Sequence, residues 1–319
     1  MPTYILNGYR LIADSNYRHK LMFRAFGTRY VPELPDFPPM VLLDITTRCN
    51  LACNHCPNKV LSKDRSWGGD MAWTLYRKVI DEIARENPKT KVRPFNSGEP
   101  LMRKDLESLI KYAKDKGIQY VSINTNGTLL NQRRVLKLLE SGLDHIEISV
   151  DAFSENTYIR IKNLDFYHKL IKNIERLIDL RNRFRPEFEI SLSFVKQRKN
   201  LHEVKNFFEY WNDKVNRLTI RDYHQHGMLI DGQENYKKRK KSHRHPCPYL
   251  WDRTIVEHDG RVRFCENDWK ALHLVGDLKT HTLKAIWHSH KYRKLRESHI
   301  AGTFDHVYCK KCKDWKVIC

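Results

Sequence analysis

From Met40 onward, short apolar runs alternate with stretches of helical period. Met40 to Leu43 reads as a buried strand, and Trp73 to Ala84 as a helix with Leu75, Val79, Ile80 and Ile83 on one face. The alternation continues through strands at Val92 to Phe95, Tyr120 to Asn124, His145 to Val150, Phe188 to Val195 and Arg217 to Arg221. Helices at Asp105 to Lys116, Gln132 to Glu140, Tyr167 to Arg181 and Leu201 to Trp211 separate them, the first two ending at Gly117 and near Gly142. Repeated strand–helix units predict parallel strands joined by right-handed crossovers, and six of them make a partial (β/α)6 barrel in an α/β chain. Residues 1–39 form an N-terminal extension with a basic amphipathic stretch (Tyr17 to Tyr30) and prolines at 32, 35, 38 and 39. The barrel is expected over 40–230, a basic linker over 231–246, and a small α+β domain over 247–319. Ile255 to Phe264 reads as a hairpin turning at Asp259-Gly260.

Chemistry concentrates at the ends of these strands, where α/β barrels place their sites. Cys49, Cys53 and Cys56 stand as C-x3-C-x2-C directly after the first strand. Three thiolates on one loop can hold three irons of a [4Fe–4S] cluster and leave the fourth open to a ligand. The alternatives are a structural zinc site, with His55 as a strained fourth ligand, or three unrelated cysteines. Asn96-Ser97-Gly98-Glu99-Pro100 follows the second strand and sets a glycine beside a carboxylate that can receive an ammonium group; taken alone, an ordinary turn is its plainer reading. Asn124-Thr125-Asn126-Gly127 ends the third strand and Ser149-Val150-Asp151 the fourth; a turn and a helix cap are their bland readings. Asp222, His224 and His226 follow the sixth strand and are candidates for removing a proton from a substrate; a surface loop is the alternative.

A second cysteine set, Cys247, Cys265, Cys309 and Cys312, lies in the last quarter of the chain. A C-x2-C pair with two distant cysteines suits a second cluster or a tetrahedral zinc. Cys319 is left over, as an inert thiol, a spare ligand or a hydrogen-atom donor.

The first cysteine loop resembles that of the radical S-adenosylmethionine (SAM) superfamily. The resemblance implies a partial barrel in which the open iron of a [4Fe–4S] cluster chelates SAM. Reductive cleavage then gives a 5′-deoxyadenosyl radical that abstracts hydrogen from the substrate, with a reductase–flavodoxin or ferredoxin as electron donor. His55 takes the place of the aromatic residue that packs the adenine, and Ser97-Gly98-Glu99 that of a Gly-Gly-Glu motif whose Glu99 receives the SAM amino group. Asn124, Thr125, Asn126, Ser149 and Asp151 fall where similar enzymes hold the ribose and methionine, Asp151-Ala152 replacing the usual Asp-Gly. Arg160 falls where a basic residue takes the SAM carboxylate. The C-terminal cysteines, with Gly260-x4-Cys265, Gly276-Asp277-Leu278 and Ile286-Trp287, resemble the SPASM/twitch extension and imply one auxiliary [4Fe–4S] cluster.

Net charge is +20, favouring anionic partners, and the densest run is Lys237 to Lys241. Only Tyr236 flanks that run, so nucleic acid is not the expected partner. No eighteen-residue apolar stretch or secretory h-region occurs, and the ligand-like cysteine spacing points to a reducing cytoplasm rather than to disulfides. Two clusters imply two-electron oxidation of an alcohol carbon on a sugar, aminocyclitol or nucleotide-linked small molecule, as similar twitch-type enzymes perform. The competing readings are a radical epimerase using Cys319 as hydrogen donor, a peptide maturase, and a non-catalytic iron–sulfur RNA-binding protein.

Overall fold

The computed structural model describes residues 3–4, 22, 32–64, 68–223 and 244–312. Ten strands are described: β1 (Thr3–Tyr4), β2 (Met40–Leu43), β3 (Lys91–Arg93), β4 (Ser122–Thr125), β5 (His145–Ser149), β6 (Glu189–Lys196), β7 (Arg217–Asp222), β8 (Arg253–Val256), β9 (Arg261–Arg263) and β10 (Leu274–Asp277). The helices are α1 (Asn58–Leu61), α2 (Trp73–Glu86), α3 (Leu106–Asp115), α4 (Gln132–Glu140), α5 (Glu155–Lys162), α6 (Tyr167–Phe184), α7 (Val204–Trp211), α8 (Tyr249–Asp252), α9 (Leu283–Trp287), α10 (His290–Ile300) and α11 (Val307–Lys311).

The six parallel strands of the sequence reading are present. β2 pairs with β3, and β4, β5, β6 and β7 pair in chain order, all in parallel. A single bridge, Val92 to Val121, joins the two sheets into one arch. β1 closes the β7 edge antiparallel, which the sequence pattern did not suggest. Apolar residues of β4 to β7 face the helices and join one continuous core with the buried faces of α2, α3, α4 and α6. Their alternate residues are hydroxyls, amides and charges, so the other face of the arch is polar.

The C-terminal unit does not stand apart. β8 pairs in parallel with β2 over four residues, so the β8–β9–β10 meander extends the barrel sheet beyond its first strand. The expected hairpin is there, but its first strand is also a barrel neighbour. Glu82 on α2 accepts the Leu283 and Lys284 amides at 3.0 and 2.9 Å, using a barrel side chain to cap α9. The Trp287 indole donates to the Pro35 carbonyl at 2.9 Å. Most of the linker expected at 231–246 lies outside the described residues, as do the basic run and the amphipathic stretch before Pro32. Among the described residues no helix is long and apolar enough to cross a membrane.

Candidate active site and auxiliary metal centre

The loop after β2 carries Cys49, Cys53 and Cys56 and is tied to its neighbours by polar side chains. Asn58 donates from Nδ2 to the carbonyls of Thr47 and Ser97 at 2.9 and 3.0 Å, pinning it to the segment after β3. Asn50 donates to Thr128 at 2.9 Å and accepts from Asn126 at 2.8 Å, pinning it to the turn after β4. Gly98 runs against the loop backbone: a Cβ there would stand 2.4 Å from the Thr46 carbonyl oxygen and 2.5 Å from that of Arg48. Only glycine permits this approach. Glu99 follows, buried, its carboxylate accepting from Thr125 Oγ1 at 2.6 Å, Asn126 N at 2.7 Å and Leu101 N at 3.1 Å. Ser97 donates its amide to Asp44 at 3.1 Å and its Oγ accepts from Asn96 at 3.0 Å.

Across the loop lies a buried ion pair, Lys162 to Asp151 at 2.5 Å, with both side chains almost wholly enclosed. Asp151 takes a left-handed φ of +62° and accepts the Val195 amide at 2.7 Å. His55 lies 3.7 Å from the same carboxylate, and its Nδ1 is 3.2 Å from Gln197 Nε2. Burial pushes the thiols up, Cys49 to about 11 and Cys56 to about 12, and raises Cys53 as well; the Lys162 ammonium opposes the rise at all three. This donor set fits an iron–sulfur cluster: three soft ligands, enclosed, beside a fixed cation that offsets thiolate charge.

The lumen of the arch is a polar row. Asn124 on β4 donates to Glu147 on β5 at 2.8 Å and accepts from Arg93 on β3 at 2.7 Å. Arg221 on β7 reaches over to Glu147 with two parallel bonds of 2.7 and 2.8 Å. Burial alone would raise Glu147, but Arg221 and Arg93 outweigh it and hold the carboxyl down to about 2. It is therefore a permanent counterion and not a proton acceptor. Ser149 and Ser193 face one another at 3.4 Å. Asp222 pairs with Lys196 at 2.6 Å, at the strand ends. Glu266 and Arg253, beyond Cys265, lie within electrostatic reach of Arg93, so the row runs toward the second cysteine set.

There, Cys247, Cys265, Cys309 and Cys312 wall one cavity with Tyr249, Phe264, His245 and His299. Burial and the other three thiols raise Cys265 well above the ordinary range, so the four sulfurs share one charge field. Four thiols spaced around a cavity fit a cluster, in which each iron takes one thiolate. Arg263, fully buried and ion-paired with Glu257, donates to the carbonyls of Cys265, Glu266 and Asp268 at 3.0, 3.0 and 2.9 Å and so shapes the Cys265 loop. Arg253 stacks on Tyr249 with its guanidinium carbon 4.1 Å from the ring centroid.

Several sequence-predicted residues take other positions than expected. Arg160 is exposed and meets the cysteine loop through its carbonyl, which accepts from Asn54 at 2.8 Å; its guanidinium was the expected contact. Both Asp151 oxygens are engaged within the protein, by Lys162 and the Val195 amide. His224, His226 and Cys319 lie outside the described residues. Sequence reasoning missed Lys162, Arg93, Glu147 and His299. Lys162 was legible in principle: on α5 it follows Tyr158 and Ile161 on the buried face, a charge where the apolar stripe should continue.

Residues 43–207 match the radical SAM superfamily model, and residues 247–313 match the SPASM iron–sulfur cluster-binding domain. The chain is 32% identical to the PqqA peptide cyclase of Bradyrhizobium diazoefficiens over 208 residues, 63% of this chain and 51% of that protein. It therefore spans about half the length of that relative. Among solved structures, BtrN in complex with AdoMet and 2-DOIA superposes with a TM-score of 0.61 and 18% identity, covering 89% of this chain and 96% of that one. Streptococcus suis SuiB bound to the precursor peptide SuiA superposes with a TM-score of 0.68 and 12% identity, covering 98% and 76%. The cofactors are a SAM-binding [4Fe–4S] cluster, SAM itself and an auxiliary iron–sulfur cluster. Family models, fold and the two thiol sets agree, and the chain belongs to the radical SAM superfamily as an enzyme with a C-terminal SPASM domain.

Proposed function

We propose that this enzyme removes two electrons and two protons from a hydroxyl-bearing carbon of a small polar molecule held in the barrel lumen, between the two thiol sets. The lumen's chemistry carries this reading. Asn124, Ser149 and Ser193 offer neutral donors and acceptors, while Glu147–Arg221 and Asp222–Lys196 are already matched in charge. A polyhydroxylated ligand exchanges water for such groups without leaving a buried charge unpaired. The near full-length correspondence with BtrN, a structure holding AdoMet and 2-DOIA, supports a small ligand for this architecture.

When bound, the cofactors supply hydrogen-atom abstraction at one end of the lumen and an electron acceptor at the other. The protein's own part is placement. Cys49, Cys53 and Cys56 hold the first cluster and Cys247, Cys265, Cys309 and Cys312 the second. Ser97, Gly98, Glu99, Thr125 and Asn126 would hold the amine end of SAM, and His55 would lie on the adenine side. Among the described residues Arg93 donates from its side chain to the neutral Asn124, and its remaining N–H groups would meet a substrate oxygen. Asp222 at the rim is the proton acceptor we favour, because the Arg221 guanidinium leaves Glu147 with little affinity for a proton. An anaerobic assay with sugar and aminocyclitol alcohols tests this: 5′-deoxyadenosine and a ketone should form in equal amounts. Solvent deuterium retained at a carbon with no change in oxidation state would instead mean epimerisation.

A second reading, peptide modification, is favoured by the identity to the PqqA peptide cyclase and the likeness to SuiB with its bound precursor peptide. Turnover of a short peptide, with the alcohols inert, would replace the first reading by this one.

A further inference from the structure

The auxiliary cavity contains a side chain of which only one of two polar atoms is used in holding the cysteines. His299, on α10, is 1% exposed and forms part of the cavity wall. Its Nδ1 accepts the backbone N–H of Cys247 at 3.0 Å. An imidazole nitrogen that accepts a hydrogen bond carries no proton, so the neutral ring bears its proton on Nε2. That Nε2 is buried and has no hydrogen-bond partner.

A buried donor left unpaired is costly, about 1–3 kcal/mol, and such groups mark a missing acceptor. The cavity that His299 walls is framed by four cysteine sulfurs. The ring is also fixed in place: its Nδ1 bond holds one edge, and Phe304 meets it edge-on with centroids 4.9 Å apart. We propose that His299 Nε2–H donates a hydrogen bond to a sulfur of the auxiliary cluster and thereby raises that cluster's reduction potential. Reduction adds negative charge to the cluster sulfurs, and an N–H dipole aimed at them favours the reduced form. His299 is thus a positioning and tuning residue for the electron acceptor, with no contact to substrate. The inference rests on the auxiliary cluster and is independent of which substrate the enzyme oxidises.

The two nitrogens can be separated by substitution. His299→Asn puts Oδ1 where Nδ1 was, keeping the bond to Cys247 N–H, and removes the distal donor. His299→Gln returns an N–H near the Nε2 position. The full chain with Cys49, Cys53 and Cys56 all changed to alanine holds only the auxiliary cluster, whose potential is then read by anaerobic dithionite titration followed by electron paramagnetic resonance. His299→Asn should move the potential negative by tenfold or more in the reduction equilibrium, about 59 mV for one electron, and His299→Gln should recover part of it. In protein with 15N-labelled histidine, the reduced cluster should couple magnetically to an exchangeable proton and a histidine nitrogen, both lost in His299→Asn. An unchanged potential in His299→Asn with full iron content would overturn the proposal and leave His299 as a cap for Cys247. Should His299→Asn fail to assemble the cluster, the wild-type coupling decides: its absence overturns the assignment and its presence sustains it. Failure to bind iron at all would instead count against the four-cysteine site.

Discussion

The two thiol sets do related jobs in different surroundings. The first occupies one eight-residue loop beside a buried ion pair, with Lys162, Asp151 and Glu99 all buried around it. The second gathers cysteines from three separate segments into a cavity walled by aromatic rings, His299 and the Arg244 guanidinium, which donates to the Cys309 carbonyl at 2.7 Å. A buried cation close to the first set favours the thiolate form and the negative charge of whatever the thiolates hold. The second cavity adds aromatic packing and N–H donors to the Arg244 cation in its wall. Around the first set the Lys162 cation is balanced by the Asp151 carboxylate, which suits a centre beside a charged, chelated ligand. The second suits a centre whose affinity for an electron is tuned by a few N–H groups.

Lys162→Met breaks the first environment most directly. It leaves Asp151 buried without its cation, and removing one partner of such a pair costs about 3–5 kcal/mol. We expect a large loss in thermal stability and in iron bound at the first set, measured by differential scanning calorimetry and by iron content in a Cys265→Ala background. Lys162→Met with Asp151→Asn should recover most of the folding loss but not the iron. Full recovery of both would mean that Lys162 serves only the fold.

The lumen between the two sets is the next place to press. If Arg93 binds a substrate oxygen, Arg93→Met removes a charge-assisted hydrogen bond of about 1.5–3 kcal/mol, or roughly 10–100-fold in kcat/KM. Uncoupled cleavage of SAM in the absence of substrate should stay unchanged, because the hydrogen-bond partner of Arg93 is Asn124 on β4 and not a residue of the cysteine loop. Equal losses in both assays would place Arg93 in the architecture of the first site rather than in substrate binding.

The contrast also explains what a single sequence reveals. The first set is local, so its spacing and the strand before it disclose both ligands and position. Gly98 by itself read as an ordinary turn, and only its place beside the cysteine loop suggested a close backbone approach, which the structure makes to the carbonyls of Thr46 and Arg48. The second set was legible as ligands, but its docking was not. β8 reads as half of a hairpin, and nothing in four apolar-rich residues says that its free edge pairs with β2, two hundred residues earlier. Arg93 was hidden for a related reason. It looks like one more surface cation in a chain of 58 lysines and arginines, and only its partner across the fold, Asn124, distinguishes it, whereas Lys162 at least interrupts the apolar stripe of its helix.

The junction of the two regions offers the finest test. Asp44 ends β2 just before the first cysteine loop, and its amide donates to the Val256 carbonyl of β8 at 2.8 Å. Its carboxylate is wholly buried, with Oδ1 accepting from Ser97 and Oδ2 unpartnered. Burial, with Glu257 close by, pushes the Asp44 carboxyl up to about 7, while Arg263 pulls the other way. Folding therefore makes this acid hold its proton more tightly than the unfolded chain does. Below about pH 4 both states are protonated and the group is neutral to stability. Between about pH 4 and 7 the native state keeps a proton that the unfolded state has lost, so stability falls as pH rises, and the full penalty persists above 7. Asp44→Asn removes that penalty while keeping an oxygen for the Ser97 amide. It should raise Tm by about 2–4 °C at pH 8, the response to roughly 1 kcal/mol in a domain of 150–250 residues, and leave it unchanged near pH 4. A variant that is equally destabilised at both pH values would show that the Asp44 charge is wanted where it is, as a fixed anion linking the two metal-binding regions through Arg263.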